Sequence, residues 1–275
     1  MLFGLLSALS WGAGDFGGGL ASRRAPVLGI VLITQTSGAL FAFLIFLARG
    51  EPVPSLEDAF WSCTAAIAGA IGITALYAGL AAGRMSVVAP VTGVLAVAIP
   101  VAAGLVLEGV PREAVLAGIG LAIGAVVLVS RVEDHAGRSG GLRFALIAGT
   151  GIGIFNVLIG QVSQGLVFGP LTIMRLAQAV AIVAFIVVGR SAWRVRPTLV
   201  PAVLLIGLLD MGGNAFYIAA RQAGELAVAA TLSSLYPVTT VVLAALLLRE
   251  RITLAHGAGI LLAAVAVGLI ASGAA

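Results

Sequence analysis

Glu133-Asp134-His135-Ala136-Gly137-Arg138-Ser139-Gly140-Gly141 is the longest polar stretch in this chain of 275 residues, and it lies almost at the midpoint. On both sides of it the sequence consists of apolar runs, parted only by short loops that carry arginine. Hydrophobic residues make up 61% of the chain and charged residues 9%, with a mean hydropathy of +1.18, outside the range of a soluble domain. A bilayer core about 30 Å thick calls for roughly 20 apolar residues per helix. Such segments account for nearly the whole length, so the fold class predicted is an all-α integral membrane protein with no sizeable soluble domain.

The breaks outward from the midpoint place the spans. Toward the N-terminus they are Glu108 to Glu113, Gly83-Arg84, the Pro- and acid-rich stretch from Gly50 to Asp58, and Ser22-Arg23-Arg24-Ala25-Pro26. With their counterparts toward the C-terminus they predict ten transmembrane helices, at 2–21, 27–48, 59–82, 86–107, 114–131, 144–165, 171–189, 198–220, 226–248 and 253–272. The central loop, 135–143, thus divides a first five-helix unit, 1–134, from a second, 144–275.

The two units resemble each other. Ala75-Leu76-Tyr77 recurs as Ala215-Phe216-Tyr217, the stretch from Ala82 to Ala89 recurs from Ala223 to Ala230, and Gly118-Ile119 recurs as Gly259-Ile260, each about 140 residues on. Five is odd, so a second copy must be inserted upside down relative to the first. Inverted repeats build alternating-access carriers, whose substrate sits near the midplane between the copies. Arginine sets the orientation. Eleven arginines fall in the loops after the odd-numbered spans, and only Arg49, Arg112 and Arg221 in the alternate loops. The first set is therefore predicted to be cytoplasmic and both termini to face outward.

Composition also excludes functions. The net charge of +4 comes entirely from arginine, and in a membrane chain it is read as loop orientation, with no nucleic-acid partner. Cys63 is the sole cysteine, and His135 and His256 lie far apart, so no disulfide, metal centre or cofactor is expected. An intramembrane enzyme needs a nucleophile with a base, or a metal pair, at depth, and the spans offer neither; the chain is read as no enzyme. A channel or uncoupled facilitator is the main alternative to a carrier, although the sequence has no rings of like charge.

A set of short motifs runs through both units in order. Trp11-Gly12 is followed by Asp15-Phe16 and Ala21-Ser22-Arg23-Arg24. Tyr77 is followed by Ala82-Gly83 and Ser86-Val87, and Tyr236-Pro237 precedes Arg249-Glu250-Arg251-Ile252-Thr253 and Gly259. The chain in these features resembles the EamA-type family of the drug/metabolite transporter superfamily. The resemblance implies a ten-helix carrier in the bacterial cytoplasmic (inner) membrane, with spans 5 and 10 peripheral. It also implies export or exchange of small metabolites, often amino acids or related compounds. Three features depart from the family. The sixth span lacks Trp-Gly, Pro100 does not stand where the family's first-half proline does, and the arginine distribution argues for outward termini where many members are drawn with cytoplasmic ones.

Three charged residues lie well inside spans: Asp15, Arg175 and Asp210. Each costs about 2.5–3.5 kcal/mol at the bilayer centre, so each needs a partner or water. Helical spacing puts Asp210, Asn214 and Tyr217 on one stripe, and Trp11, Asp15 and Gly18 on another. Span 6 offers Asn156, Gly160 and Ser163, with Gln161 and Gln164 beside them, and span 7 offers Arg175 and Gln178. Arg175 either pairs with Asp210 or Asp15, reaches the interface, or binds substrate. Tyr77, Ser233 and Tyr236 complete the expected site. Pro237 opens the backbone ladder of span 9 as a kink or hinge, and Pro90 and Pro100 are candidates for the same in span 4. Two acids and one arginine leave one negative charge uncompensated. A proton or a cationic substrate group would balance it, which makes Asp210 and Asp15 the candidate coupling residues.

Overall fold

The computed structural model describes residues 1–82, 85–130 and 140–248, with scattered positions between 254 and 269. Among these residues it consists of helices α1 (Leu2–Ser22), α2 (Val27–Arg49), α3 (Leu56–Ala82), α4 (Met85–Leu107), α5 (Glu113–Ser130), α6 (Gly140–Ile159), α7 (Phe168–Gly189), α8 (Val200–Gln222), α9 (Leu226–Ser233) and α10 (Tyr236–Leu248). A 3₁₀ turn at Pro197–Leu199 leads into α8. In lipid every backbone polar group must be satisfied within the protein, and a helix does this locally.

The segments Val27–Arg49, Leu56–Ala82, Phe168–Gly189, Pro197–Gln222 and Leu226–Leu247 are long and apolar enough to cross a bilayer. Val91–Leu107, Glu113–Ala125 and Arg143–Ile159 are shorter apolar helices. The first nine expected spans each coincide with helix, the ninth as the pair α9 and α10. The tenth, 253–272, lies largely outside the described residues. Sidedness is inverted relative to a soluble protein. Leu44, Phe60, Ile67 and Val180 project outward from their helices, whereas Thr34, Gln35, Asn156, Arg175, Gln178 and Asn214 are buried.

Two boundaries correct the sequence reading. The sixth helix ends at Ile159, not near 165, so Gln161, Ser163 and Gln164 belong to a turn. That turn is held from other helices: Asp58 Oδ1 accepts the Ser163 N–H, and Gln222 Nε2 donates to the carbonyls of Ser163 and Leu166. The seventh helix starts at Phe168, so Arg175 lies about two turns inside it. Arg175 is 1% exposed, which removes the reading in which it reaches to the interface. Span 9 divides at Ser234-Leu235, just ahead of Pro237, while α4 continues unbroken through Pro90 and Pro100. Helix α4 thus runs through both prolines where span 9 divides ahead of its own. Each removes one N–H from the ladder of α4.

Most of the extensive packing joins the first half of the chain to the second. α1 lies along α8, α3 and α4 along α6, α2 along α7 and α8, and α3 along α7. Advancing every helix by half the chain carries α1–α8 onto α6–α3 and α2–α8 onto α7–α3, and leaves α2–α7 in place. The helix ends follow the same rule. Gly50 closes α2 in the left-handed region at φ 61°, and Arg190 closes α7 there at φ 45°. In both, the next N–H reaches back to the carbonyl five residues earlier, Glu51 to Phe46 and Ser191 to Ile186. Backbones meet closely where small residues allow it, as at Gly72 of α3 against Gly151 of α6, where a side chain on either would meet the other's backbone.

Candidate functional site

Helices from both halves line a cavity of about 50 Å³. Trp11 and Asp15 of α1, Gln35 of α2, and Gly69, Ile73 and Leu76 of α3 line it from the first half. Ile152 and Phe155 of α6, Arg175 and Gln178 of α7, Asp210 and Asn214 of α8, and Tyr236 at the start of α10 line it from the second. One water needs about 10–15 Å³ by this kind of measure, so the space suits the polar end of a small molecule.

Arg175 organises the chamber. Its Nη1 donates to Asp210 Oδ2 at 2.6 Å and to Gln35 Oε1 at 2.7 Å. Gly38 of α2 makes room for this arginine: a Cβ there would lie 3.2–3.3 Å from its Cδ, Nη1 and Nε. One turn past Asp210, Asn214 Nδ2 donates to the Asp210 carbonyl at 2.9 Å, which fixes the amide on the same stripe. Trp11 lies over Gly213, where no side chain would fit, and its ring centroid is 5.7 Å from Tyr217 and 6.4 Å from Tyr236. Thr240 Oγ1, donating to the Gly12 carbonyl at 3.1 Å, ties α10 to α1 behind Trp11.

Several polar atoms of the lining have no protein partner among the described residues. They are Arg175 Nε and Nη2, Gln178 Oε1 and the Tyr236 hydroxyl. A buried donor or acceptor left unpaired costs about 1–3 kcal/mol, so four in one chamber point to a ligand or water that satisfies them. Asp15 is buried and, among the described residues, has no ion pair or hydrogen bond. Formal charge in the wall is two carboxylates against one guanidinium.

Of the residues expected from sequence, Trp11, Asp15, Arg175, Gln178, Asp210, Asn214 and Tyr236 meet in this chamber. Asn156, Tyr77, Tyr217 and Ser233 do not line it. The Tyr217 hydroxyl donates to the Asn156 carbonyl at 2.9 Å and joins α8 to α6. Tyr77 fills the space over Gly18 between α3 and α1, and Ser233 is buried at the end of α9. Gln35 was not anticipated. It belongs to the polar run Thr34-Gln35-Thr36-Ser37 inside span 2 and stands 140 residues before Arg175, and both were available signals.

A second polar set, also unanticipated, lies at the end of the bundle that carries Met1. Glu108 Oε1 pairs with Arg221 Nη2 at 2.6 Å, and Glu108 Oε2 accepts the Leu226 N–H that opens α9. Glu51 Oε2 accepts the N–H groups of Val167, Phe168 and Gly169, capping α7 from across the bundle. Each of these contacts joins the first half of the chain to the second.

The profile of the EamA-like transporter family matches residues 1–131 and 139–272. No curated protein matches the chain. One crystal structure, 19% identical in sequence, aligns over 98% of this chain and 94% of that one with a TM-score of 0.71, a similarity of fold.

Proposed function

The chain belongs to the EamA-like transporter family, and from that premise we propose that it is a secondary-active carrier for a small polar metabolite. It works by alternating access between two inverted five-helix units, ten spans in all. The cell membrane in question is the bacterial cytoplasmic one, with both termini outward. Arg175, Asp210 and Asp15 form the binding and coupling centre, and a proton or the substrate's own cationic group balances Asp15.

One observation carries this reading: a small chamber that both halves of the chain wall in, with an Arg–Asp pair, a further acid and four unpartnered polar atoms. Support for inversion comes from the packing, whose helix pairs exchange when each helix is advanced by half the chain. Orientation is supported by the arginines of the minority loops, since Arg49 and Arg221 each face an acid, Glu51 and Glu108. The contacts at the Met1 end close that face and have to part if substrate leaves there. The break before Pro237 lets α9 tilt without α10.

The experiment is counterflow. Proteoliposomes carrying the full chain are loaded with a labelled metabolite extract and diluted into unlabelled extract or plain buffer. A carrier releases at least one component faster into unlabelled extract, because the loaded return step is quicker than the empty one. Equal release into both would show a passive pore and overturn the reading.

A further inference from the structure

Among the described residues, Arg175 is held at one corner only. Both its protein bonds leave from Nη1, to Asp210 on α8 and to Gln35 on α2, while Nε and Nη2 remain unpartnered in a buried side chain that lines the chamber. Resting on the carrier reading above, we infer that these free donors take an oxyanion of the substrate and that Gln35 is the positioning residue that keeps them available.

The division of labour follows from charge. A guanidinium is a planar fork whose donors match the two oxygens of a carboxylate. A second carboxylate in place of Gln35 would anchor Nη1 equally well and would also cancel the attraction for an incoming anion. An aliphatic side chain there would leave the guanidinium free to turn and give more of its donors to Asp210. The neutral amide fixes the corner and leaves the charge. It also ties α2 to α7, across the halves, whereas the Arg175–Asp210 bond lies within the second half. The other groups on the chamber wall are consistent with a mixed ligand: Gln178 Oε1 and Asp15 accept, and the Tyr236 hydroxyl can do either. With two acids already present, an oxyanion must enter with a positive charge, either its own ammonium group facing Asp15 or a proton.

The test uses Trp11, which lines the chamber, as its own reporter. In the full-length chain, Trp61→Phe and Trp193→Phe leave it the one indole. Alanine, propionate and alaninamide are then titrated to millimolar concentration while Trp11 emission is followed. Alanine, with or without propionate, is expected to bind at least about tenfold more tightly than alaninamide, since only the amide lacks the oxyanion. A propionate response equal to alanine's makes the accompanying charge a proton; a response to alanine alone makes it the ammonium. Gln35→Leu is expected to weaken alanine about tenfold, and Gln35→Glu to abolish the acid response while alaninamide still binds.

Equal binding of all three probes, a preference for alaninamide, or no response to any overturns the oxyanion site. An unchanged alanine affinity in Gln35→Leu overturns the positioning role. Counterflow of the metabolite extract separates these failures from failure of the carrier reading, because it requires transport but no particular charged group.

Discussion

Two arginine–carboxylate pairs in this molecule have the same length and different settings. Arg175–Asp210 and Arg221–Glu108 are both 2.6 Å apart. The side chains of the first are 1% and 13% exposed, and those of the second 23% and 25%. Distance alone would rank them equal. Burial separates them, because removing one member of a buried pair strands a charge out of reach of water, at a cost of about 3–5 kcal/mol. A part-exposed pair can trade its partner for water and is worth only about 0.2–1 kcal/mol. Under the proposed alternating-access reading, the rim pair is therefore the one suited to opening and closing. The central pair can part only if something else, a substrate oxyanion or a proton, replaces what is lost.

The widest gap between the two pairs should appear in Arg175→Met. Thermal unfolding in detergent is expected to show a loss of about 3–5 kcal/mol, and the double variant Arg175→Met with Asp210→Leu should regain most of it while transport stays absent. If the single change costs no more than a rim substitution, burial is not what distinguishes the pairs. Asp210→Asn keeps the shape and one acceptor oxygen but removes the counter-charge. The protein is expected to insert and to lose coupled transport; normal transport at every pH tested would rule out a coupling role for Asp210.

Gly38→Ala probes the centre without changing its formal charge. The new methyl meets an arginine already fixed by two hydrogen bonds, so a loss of about 1–3 kcal/mol is expected, with weakened substrate binding. At the rim, Glu108→Gln keeps an oxygen for the Leu226 N–H and loses the ion pair. Stability should fall by about 1 kcal/mol or less. Leu232 of α9 packs on Gly4 near Met1; a cysteine placed there, with Cys63→Ser, should be labelled faster in Glu108→Gln by an impermeant maleimide added from the Met1 side, and an unchanged rate would remove the pair from gating. The smallest effect belongs to Arg49→Gln. Arg49 lies 3.6 Å from Glu51 and is 64% exposed, so unfolding should move by less than about 0.5 kcal/mol.

The site was partly legible because charge inside an apolar span is conspicuous. Asp15, Arg175 and Asp210 stood out for that reason, and helical spacing brought Asn214 and Gln178 with them. The same spacing put Tyr217 on the stripe of Asp210, yet Tyr217 turns its hydroxyl to α6, because a stripe covers a wide arc and neighbouring helices share it. Gln35 was missed for the opposite reason. Its span carries no charge, and nothing in the run Thr34-Gln35-Thr36-Ser37 says which of the four meets Arg175. Glu108 and Glu51 read as loop acids, and nothing local says that one caps α9 and the other α7.

The sequence by itself determined that the chain is a bundle of membrane helices and roughly where most of them begin and end, because a bilayer offers backbone groups no partners outside their own helix. It also determined which residues would be costly to bury. Tertiary structure alone decided how those costs are met. Asp210 is 35 residues from its arginine and Gln35 is 140, and no periodicity within a helix specifies which face of which other helix will supply the missing hydrogen bond.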